Sequence, residues 1–250
     1  MELDAAFFAF AVPAVLFAGI SKGGFGSGAA FAAAPFLALA VPPQLAVGVM
    51  LPLLMLSDIT GLRSYWREWS WADARALMLG MVPGVALGAF LFSVTDDDMV
   101  RVAIGLIALG FVAFQFARAR GLLRIPPREP SMIRGGFWGL AAGFTSFVSH
   151  AGGPPAAAYL LGRSLDKRTY QATTVIAFWW VNLLKFGPYA ALGLFTRETL
   201  IANVILAPVV VVGTLLGVAA HRIVPERLFF GLTYAFLIVT GSKLLWDGLS

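Results

Sequence analysis

Gly19-Ile20-Ser21-Lys22-Gly23-Gly24-Phe25-Gly26-Ser27-Gly28 interrupts an otherwise apolar stretch, residues 5–40, near its middle. A second stretch, 133–161, is interrupted in the same way by Thr145-Ser146-Phe147-Val148-Ser149-His150-Ala151-Gly152-Gly153-Pro154-Pro155. A continuous helix over 5–40 would be about 54 Å long, against a bilayer core about 30 Å thick. Backbone that leaves the helix inside a bilayer must be buried in protein or line a wet cavity, because each unsatisfied N–H or C=O costs several kcal/mol. Each break is therefore read as the tip of a re-entrant hairpin facing the protein interior. Glycine supplies the turns, and Pro154-Pro155 suits the first turn of a new helix, where no amide partner is lost. The restarted helices, from about Ala29 and Pro154, would turn their positive ends toward the centre.

The rest of the chain fits this setting. Apolar runs of spanning length cover 44–62, 72–94, 99–117, 170–194, 199–220 and 227–246, which predicts six full crossings. With 59% hydrophobic and 12% charged residues over 250 positions, the composition excludes a water-soluble enzyme and a disordered chain. The expectation is one membrane domain, 1–250. The absence of Cys removes thiolate metal sites and Cys nucleophiles, and two His are too few for a structural zinc site, so no cofactor or metal is expected. The net charge of +5 is read as basic loops beside anionic lipid, with no nucleic-acid partner. The acidic start, Met1-Glu2-Leu3-Asp4, predicts no cleavable leader.

Sliding the chain on itself by 124–126 positions aligns Gly19 with Gly143, Ser21 with Thr145, Gly28 with Gly152, Pro83 with Pro208, Gly88 with Gly213, Arg101 with Arg227 and Gly105 with Gly231. The chain thus reads as two diverged repeats, about 5–120 and 132–249, joined by a basic linker at about 118–134. Charge decides how they lie. If each broken segment crosses once, giving eight simple transmembrane helices, the 16 loop and helix-end Lys and Arg divide 10 to 6. If each enters and returns, Arg163, Lys167, Arg168, Arg222 and Arg227 join the basic face, Arg197 and Lys243 leave it, and the division becomes 13 to 3. A hairpin plus three crossings is an odd count, which inverts the second repeat relative to the first, an arrangement used by secondary transporters. The predicted fold is an all-α polytopic membrane protein of two inverted repeats, with the linker inside and both termini outside.

Ionisable residues at membrane depth are expensive and usually functional. Lys22 lies in the first break, His150 in the second, Asp58 and Lys185 late in later runs. Two Lys against one Asp favour an anion, and His150 can add a proton-dependent charge. The candidate binding set is Ser21, Lys22, Gly24, Phe25, Gly26, Ser27, Gly28, Ser146, Ser149, His150, Gly152, Gly153, Asn182 and Lys185, with Asp58 and His150 as proton carriers. A buried structural pair between Asp58 and Lys185 is the competing expectation. Trp69, Trp71, Trp179 and Trp180 read as interface or core aromatics, and Gly84, Gly88, Gly213 and Gly217 as close helix contacts.

The two breaks, together with Pro35, Leu51-Pro52 and Asp58, Tyr159-Leu160-Leu161, and 182–189 with its Lys185, resemble the TauE/SafE family of sulfite and organosulfonate exporters over nearly the whole chain. Phe25 and Ser27 stand where some members carry further glycines, which leaves the substrate open. The resemblance implies movement of sulfite, a sulfoacetate-like sulfonate or a related sulfur-containing anion across a bacterial inner membrane, with coupling to protons; a homodimer is compatible with it. Two other readings use the same residues: an anion channel, and an intramembrane enzyme with Ser149 or Ser146 as nucleophile and His150 or Lys22 as base.

Overall fold

The computed structural model describes residues 3–25, 30–123, 126–220 and 226–250, and among them the chain forms helices and turns without strands. Helix α1 (Ala5–Ile20) opens with Asp4, whose carboxylate accepts from the Phe7 N–H at 2.8 Å. Instead of stopping at the glycines it widens into a π turn, Ser21–Phe25. The return path is a 3₁₀ turn, Ala30–Ala32, and the short α2 (Ala33–Leu37). Three continuous helices follow: α3 (Pro43–Ser64), α4 (Trp71–Val94) and α5 (Asp97–Ala119). The second half repeats the order with α6 (Met132–Ser149), α7 (Gly153–Leu160) and a 3₁₀ turn, Leu161–Arg163, then α8 (Lys167–Ala191), α9 (Arg197–Ala220) and α10 (Glu226–Leu249).

Both broken segments turn back. Phe36 of α2 lies against Phe10 near the start of α1, ring centroids 5.1 Å apart. In the second half the Arg128 N–H donates to the Gly162 carbonyl at 2.7 Å, and the Arg163 guanidinium donates to the Arg128 carbonyl. Residues 128 and 163 therefore sit at one end of the bundle, with α6 and α7 folded between them. By length and apolarity alone Ala5–Gly24 could cross a bilayer by itself, but the position of Phe36 returns the chain toward its starting end.

Two details differ from the sequence expectation. Ala29 lies outside the described residues; the described return begins at Ala30, and α2 has only five residues. So short a helix sums few peptide dipoles and offers no N-terminal field. The second restart begins at Gly153, one residue earlier than expected, with Gly152 as cap and proline in its first turn.

Five segments among the described residues are long and apolar enough to cross a membrane: Ala5–Gly24, Trp71–Val94, Asp97–Ala119, Arg197–Gly217 and Leu228–Leu249. Large apolar side chains such as Leu79, Phe90, Val204, Leu215 and Val239 are exposed on their outer faces, which suits lipid rather than water. Helix α8 is less apolar because it is an inner helix, burying Thr173, Thr174, Asn182 and Lys185. Trp66, Trp69 and Trp71 form an edge-to-face chain at one end, and Trp66 and Trp71 are exposed, as in an interfacial belt. The protein is an all-α polytopic membrane protein.

The helix pairs also match between halves. Helix α1 packs along α9 as α6 packs along α4; α3 meets α9 as α8 meets α4; α3 pairs with α8, and α5 with α10. Glycine sets the spacing where each hairpin meets a helix of the other half. A Cβ on Gly23 would stand 2.1 Å from the Thr214 carbonyl oxygen, and one on Gly139 would stand 2.2 Å from that of Leu77, so neither position admits a side chain without parting the helices. Gly84, Gly213 and Gly217 make the same kind of contact, against the carbonyls of Leu140, Leu16 and Ile20, and Gly88 makes room for the Phe147 side chain.

A polar cluster ties the second hairpin down at the linker end. Asp73, fully buried in the first turn of α4, accepts from Arg163 Nε at 2.7 Å, Tyr159 OH at 2.8 Å and Ser70 Oγ at 2.7 Å. An exposed ion pair is worth little, but removing one partner of a buried pair strands the other and costs roughly 3–5 kcal/mol. Arg163→Ala is therefore expected to lower the detergent melting temperature clearly, whereas Arg163→Ala with Asp73→Asn recovers most of the loss. Equal melting of wild type and the single variant would show that the cluster does not anchor the hairpin.

Candidate functional site

Lys22 projects from the π turn, a one-residue widening of the helix that recurs at functional sites. Its ammonium forms an ion pair with Asp58 of α3 and donates to the Leu54 carbonyl at 3.2 Å. The other oxygen of Asp58 accepts from Asn182 Nδ2 of α8 at 2.6 Å. The two charged side chains are 8% and 5% exposed, so they are compensated by each other rather than by solvent. An ammonium has three donors; Asp58 and Leu54 occupy two of those on Lys22.

The second hairpin supplies His150. It ends α6 in the left-handed region, φ 57° and ψ 14°, a conformation that costs a non-glycine residue about 1 kcal/mol and that histidine adopts more readily than most. The surroundings hold it there: its N–H donates to the Ser146 carbonyl at 2.9 Å, and Nε2 lies 3.0 Å from the Val47 carbonyl oxygen. A carbonyl only accepts, so Nε2 carries a hydrogen and Nδ1 is left to accept from Lys185 Nζ at 2.7 Å. Lys185 also donates to the Ser146 carbonyl and hydroxyl oxygens, each at 3.1 Å, which uses all three of its donors. A proton added to Nδ1 would set two donors face to face, so protonation of His150 must release Lys185.

These groups surround a cavity between the two hairpins and the two inner helices. Lys22, Phe31, Leu54, Ser146, His150, Phe178 and Asn182 line it, with Ala30. Its volume is about 20 Å³, room for roughly one water. Gly152 packs against two of the lining residues, since a Cβ there would stand 2.8 Å from Phe178 and 3.0 Å from Ser146. Lys185 lies behind Ser146 and His150 rather than on the cavity surface.

The expected pair of Asp58 with Lys185 does not form: Asp58 is taken by Lys22 and Asn182, and Lys185 by His150 and Ser146. The reason is position: the π turn sets Lys22 against one oxygen of Asp58 on α3, α8 meets the other oxygen through Asn182, and Lys185 faces the second hairpin. Among the other candidates, Ser21 and Gly153 are buried. Gly24 packs against α9, where a Cβ would stand 2.2 Å from the Gly217 carbonyl oxygen. Phe25 ends the π turn, and its side chain, like Gly26, Ser27 and Gly28, lies outside what is described. The Ser149 hydroxyl donates to the Thr145 carbonyl of its own helix at 3.3 Å, and neither ring nitrogen of His150 bonds it, which argues against a serine nucleophile paired with this base.

Leu54 and Phe178 were not among the residues expected here, yet helical period could have found them. Each precedes a polar site residue, Asp58 or Asn182, by four positions and shares its face. Tyr189, whose hydroxyl donates to the Phe147 carbonyl at 2.6 Å, braces the end of α6 and carries no local signal of that contact.

No curated protein and no solved structure matches the chain. A family model described as sulfite exporter TauE/SafE matches residues 11–244, nearly all of it and including both hairpins and both inner helices; the chain belongs to that family.

Proposed function

We propose that the protein is a secondary transporter that holds a small sulfur-containing anion, sulfite or a small sulfonate, between the two hairpin tips and couples its movement to a proton. The observation that carries this reading is the charge around the small cavity between the hairpin tips. Lys22 and Asp58 cancel, and Lys185 has no carboxylate in an ion pair with it among the described residues.

The two halves differ in charge at this site. Asp58 and Asn182 are 124 residues apart and hydrogen-bonded to each other, and the same offset relates Lys22 to Ser146. The second half thus replaces the carboxylate by an amide and brings an ammonium back from α8 beside Ser146. A neutral pair in one half becomes a net cation in the other, which is what an anion site needs. Among the described residues Lys22 uses two of its three donors, and Ser146, Asn182 and the start of α7 at Gly152 and Gly153 can complete the hydrogen bonds. A singly charged anion balances Lys185; a doubly charged one needs the second positive charge that protonated His150 would supply, at the moment Lys185 is released. Asp58, held by Lys22 and Asn182, is the alternative carrier.

At about 20 Å³ the cavity is too small for an anion of four or more heavy atoms, so loading requires the tips to part. Such movement of one repeat against the other is how inverted-repeat transporters expose a central site alternately. The matching helix pairs of the two halves support two repeats, about 5–120 and 132–249. The gathering of Arg128, Arg163 and Arg168 at one end supports a cytoplasmic placement of that end in a bacterial inner membrane, with both termini outside.

Proteoliposomes provide the test. Saturable uptake of sulfite or a small sulfonate, accelerated by the same anion on the opposite side, is expected, with a proton moved alongside. Folded protein that gives no flux of any sulfite, sulfonate or carboxylate above protein-free vesicles would refute transport, and flux without acceleration from the opposite side would indicate a channel.

A further inference from the structure

The two halves differ in how they close against their last helix. On one side α10 packs on α1 and α2 through a continuous set of rings: Phe17 stacks on Phe229 at 5.5 Å, and Phe36 meets Phe236 at 4.8 Å and Phe10 at 5.1 Å. The repeat offsets place Gly110 at the position of Phe236, Ala103 at that of Phe229, Ala141 at that of Phe17 and Arg134 at that of Phe10. None of these four rings recurs at the equivalent position in the seam between α5 and the second hairpin, where Phe111, Phe114 and Trp138 stand at other positions. A Cβ on Gly110 would meet nothing within 4 Å.

What remains is a trough. Its inner part, about 220 Å³, is apolar and runs from Ile107, Gly110 and Phe111 to Pro154 at the start of α7. Its outer part, about 240 Å³, opens at the linker end between Arg128 and Arg134. Phe114, Trp138 and Ala158 line both, so the two are continuous. Glu129 and Arg163 also border the mouth. Arg163 is balanced by Asp73, which leaves, among the described residues of the mouth, Arg128 and Arg134 against Glu129 and a net single positive charge. Arg134 spends one donor on the Glu129 carbonyl, at 2.7 Å, out of the five that a guanidinium carries.

An apolar slot open to the bilayer, with a guanidinium pair at headgroup level, matches a molecule with a hydrocarbon tail and one negative charge. We propose that this trough is a binding site for an anionic phospholipid, its acyl chain along Trp138, Phe114 and Gly110 and its phosphate on Arg128 and Arg134. Basic pockets between membrane helices take lipid headgroups in this way. The lipid replaces, in one half, the rings that seal the other, and it lies against the hairpin whose tip carries His150.

The test uses the delipidated full-length protein in detergent, titrated with phosphatidylglycerol or phosphatidylcholine and read by native mass spectrometry. One phosphatidylglycerol is expected to bind at least ten-fold more tightly than phosphatidylcholine. Arg128→Gln with Arg134→Gln should abolish that preference, and Gly110→Phe, which puts a ring back into open space, should remove the tight site while leaving the melting temperature unchanged. Phosphatidylglycerol brominated on its acyl chain should quench wild-type fluorescence more than it quenches Trp138→Phe, an outcome independent of the Gly110 variant. Equal affinity for the two lipids, undiminished binding by Gly110→Phe, or quenching insensitive to Trp138 would overturn the proposal. Displacement of the lipid by glycerol phosphate at the same concentration would also overturn it, by assigning the mouth to a soluble anion.

Discussion

Lys22→Gln is expected to lose both stability and transport, and a second substitution is expected to restore only the first. In the wild type the Lys22 ammonium is held by Asp58 and the Leu54 carbonyl, while Asn182 takes the other carboxylate oxygen. Glutamine removes the charge and strands Asp58 in a site only 5% exposed. Breaking a buried pair in this way costs roughly 3–5 kcal/mol, most of it the penalty of the charge left behind. Asp58→Asn should cost about as much, for the mirror reason. Lys22→Gln combined with Asp58→Asn leaves no charge stranded, and neutral replacement of a buried pair is often nearly free, so melting should return close to wild type. Flux should stay below about a hundredth of wild type, because the Lys22 ammonium has gone from the cavity wall. Recovery of sulfite flux in the double variant would reduce Lys22 and Asp58 to a structural pair. The readouts are a detergent melt and proteoliposome uptake on the same preparations.

The outline of the fold was legible because the bilayer makes it so. A 36-residue apolar stretch broken by Ser21-Lys22-Gly23-Gly24 admits few physical solutions, and the charges outside the linker, at Arg163, Lys167, Arg168, Arg222 and Arg227, favour entering and returning over crossing. The buried ionisable residues were legible for the same reason, since nothing cheap keeps Lys22, Asp58 or Lys185 in an apolar run.

Partner choice was not legible. Lys22 and Asp58 are 36 residues apart and Lys185 and His150 are 35 apart, and which pairs form depends on where each hairpin tip stops. That depends on one π turn and on glycine contacts that act through missing side chains, as at Gly23 and Gly139. The Asp73 cluster was hidden differently. An acidic residue in the first turn of α4 reads as an ordinary complement to the helix dipole, and nothing near it in sequence announces Tyr159 or Arg163.

Lys185 should behave in the opposite way to Lys22, and the contrast separates a charge that holds the fold from one that serves the anion. Its side chain is fully buried, and its three donors go to neutral acceptors, two on Ser146 and one on His150. Among the described residues no carboxylate is hydrogen-bonded to it, so its removal breaks no ion pair. Lys185→Met, close in length and apolar, should therefore leave the melting temperature of the empty protein unchanged or raised, since an uncompensated buried charge opposes folding. Affinity should fall. An anion hydrogen-bonded to Ser146 Oγ, at about 3 Å, would sit roughly 6 Å from Lys185 Nζ, where a unit charge contributes about 2–3 kcal/mol at an effective dielectric near 20. That corresponds to a 30- to 150-fold weaker sulfite Kd. Freed of its neighbour, His150 Nδ1 could also gain a proton without breaking a contact, so the pH profile of flux should flatten or shift relative to wild type, which a general loss of folding would not produce. Lys185→Arg is not expected to rescue, because the planar guanidinium cannot place three donors on Ser146 and His150 as the ammonium does. A lower melting temperature with unchanged Kd would instead make Lys185 a packing residue and leave the net charge of the cavity without a role.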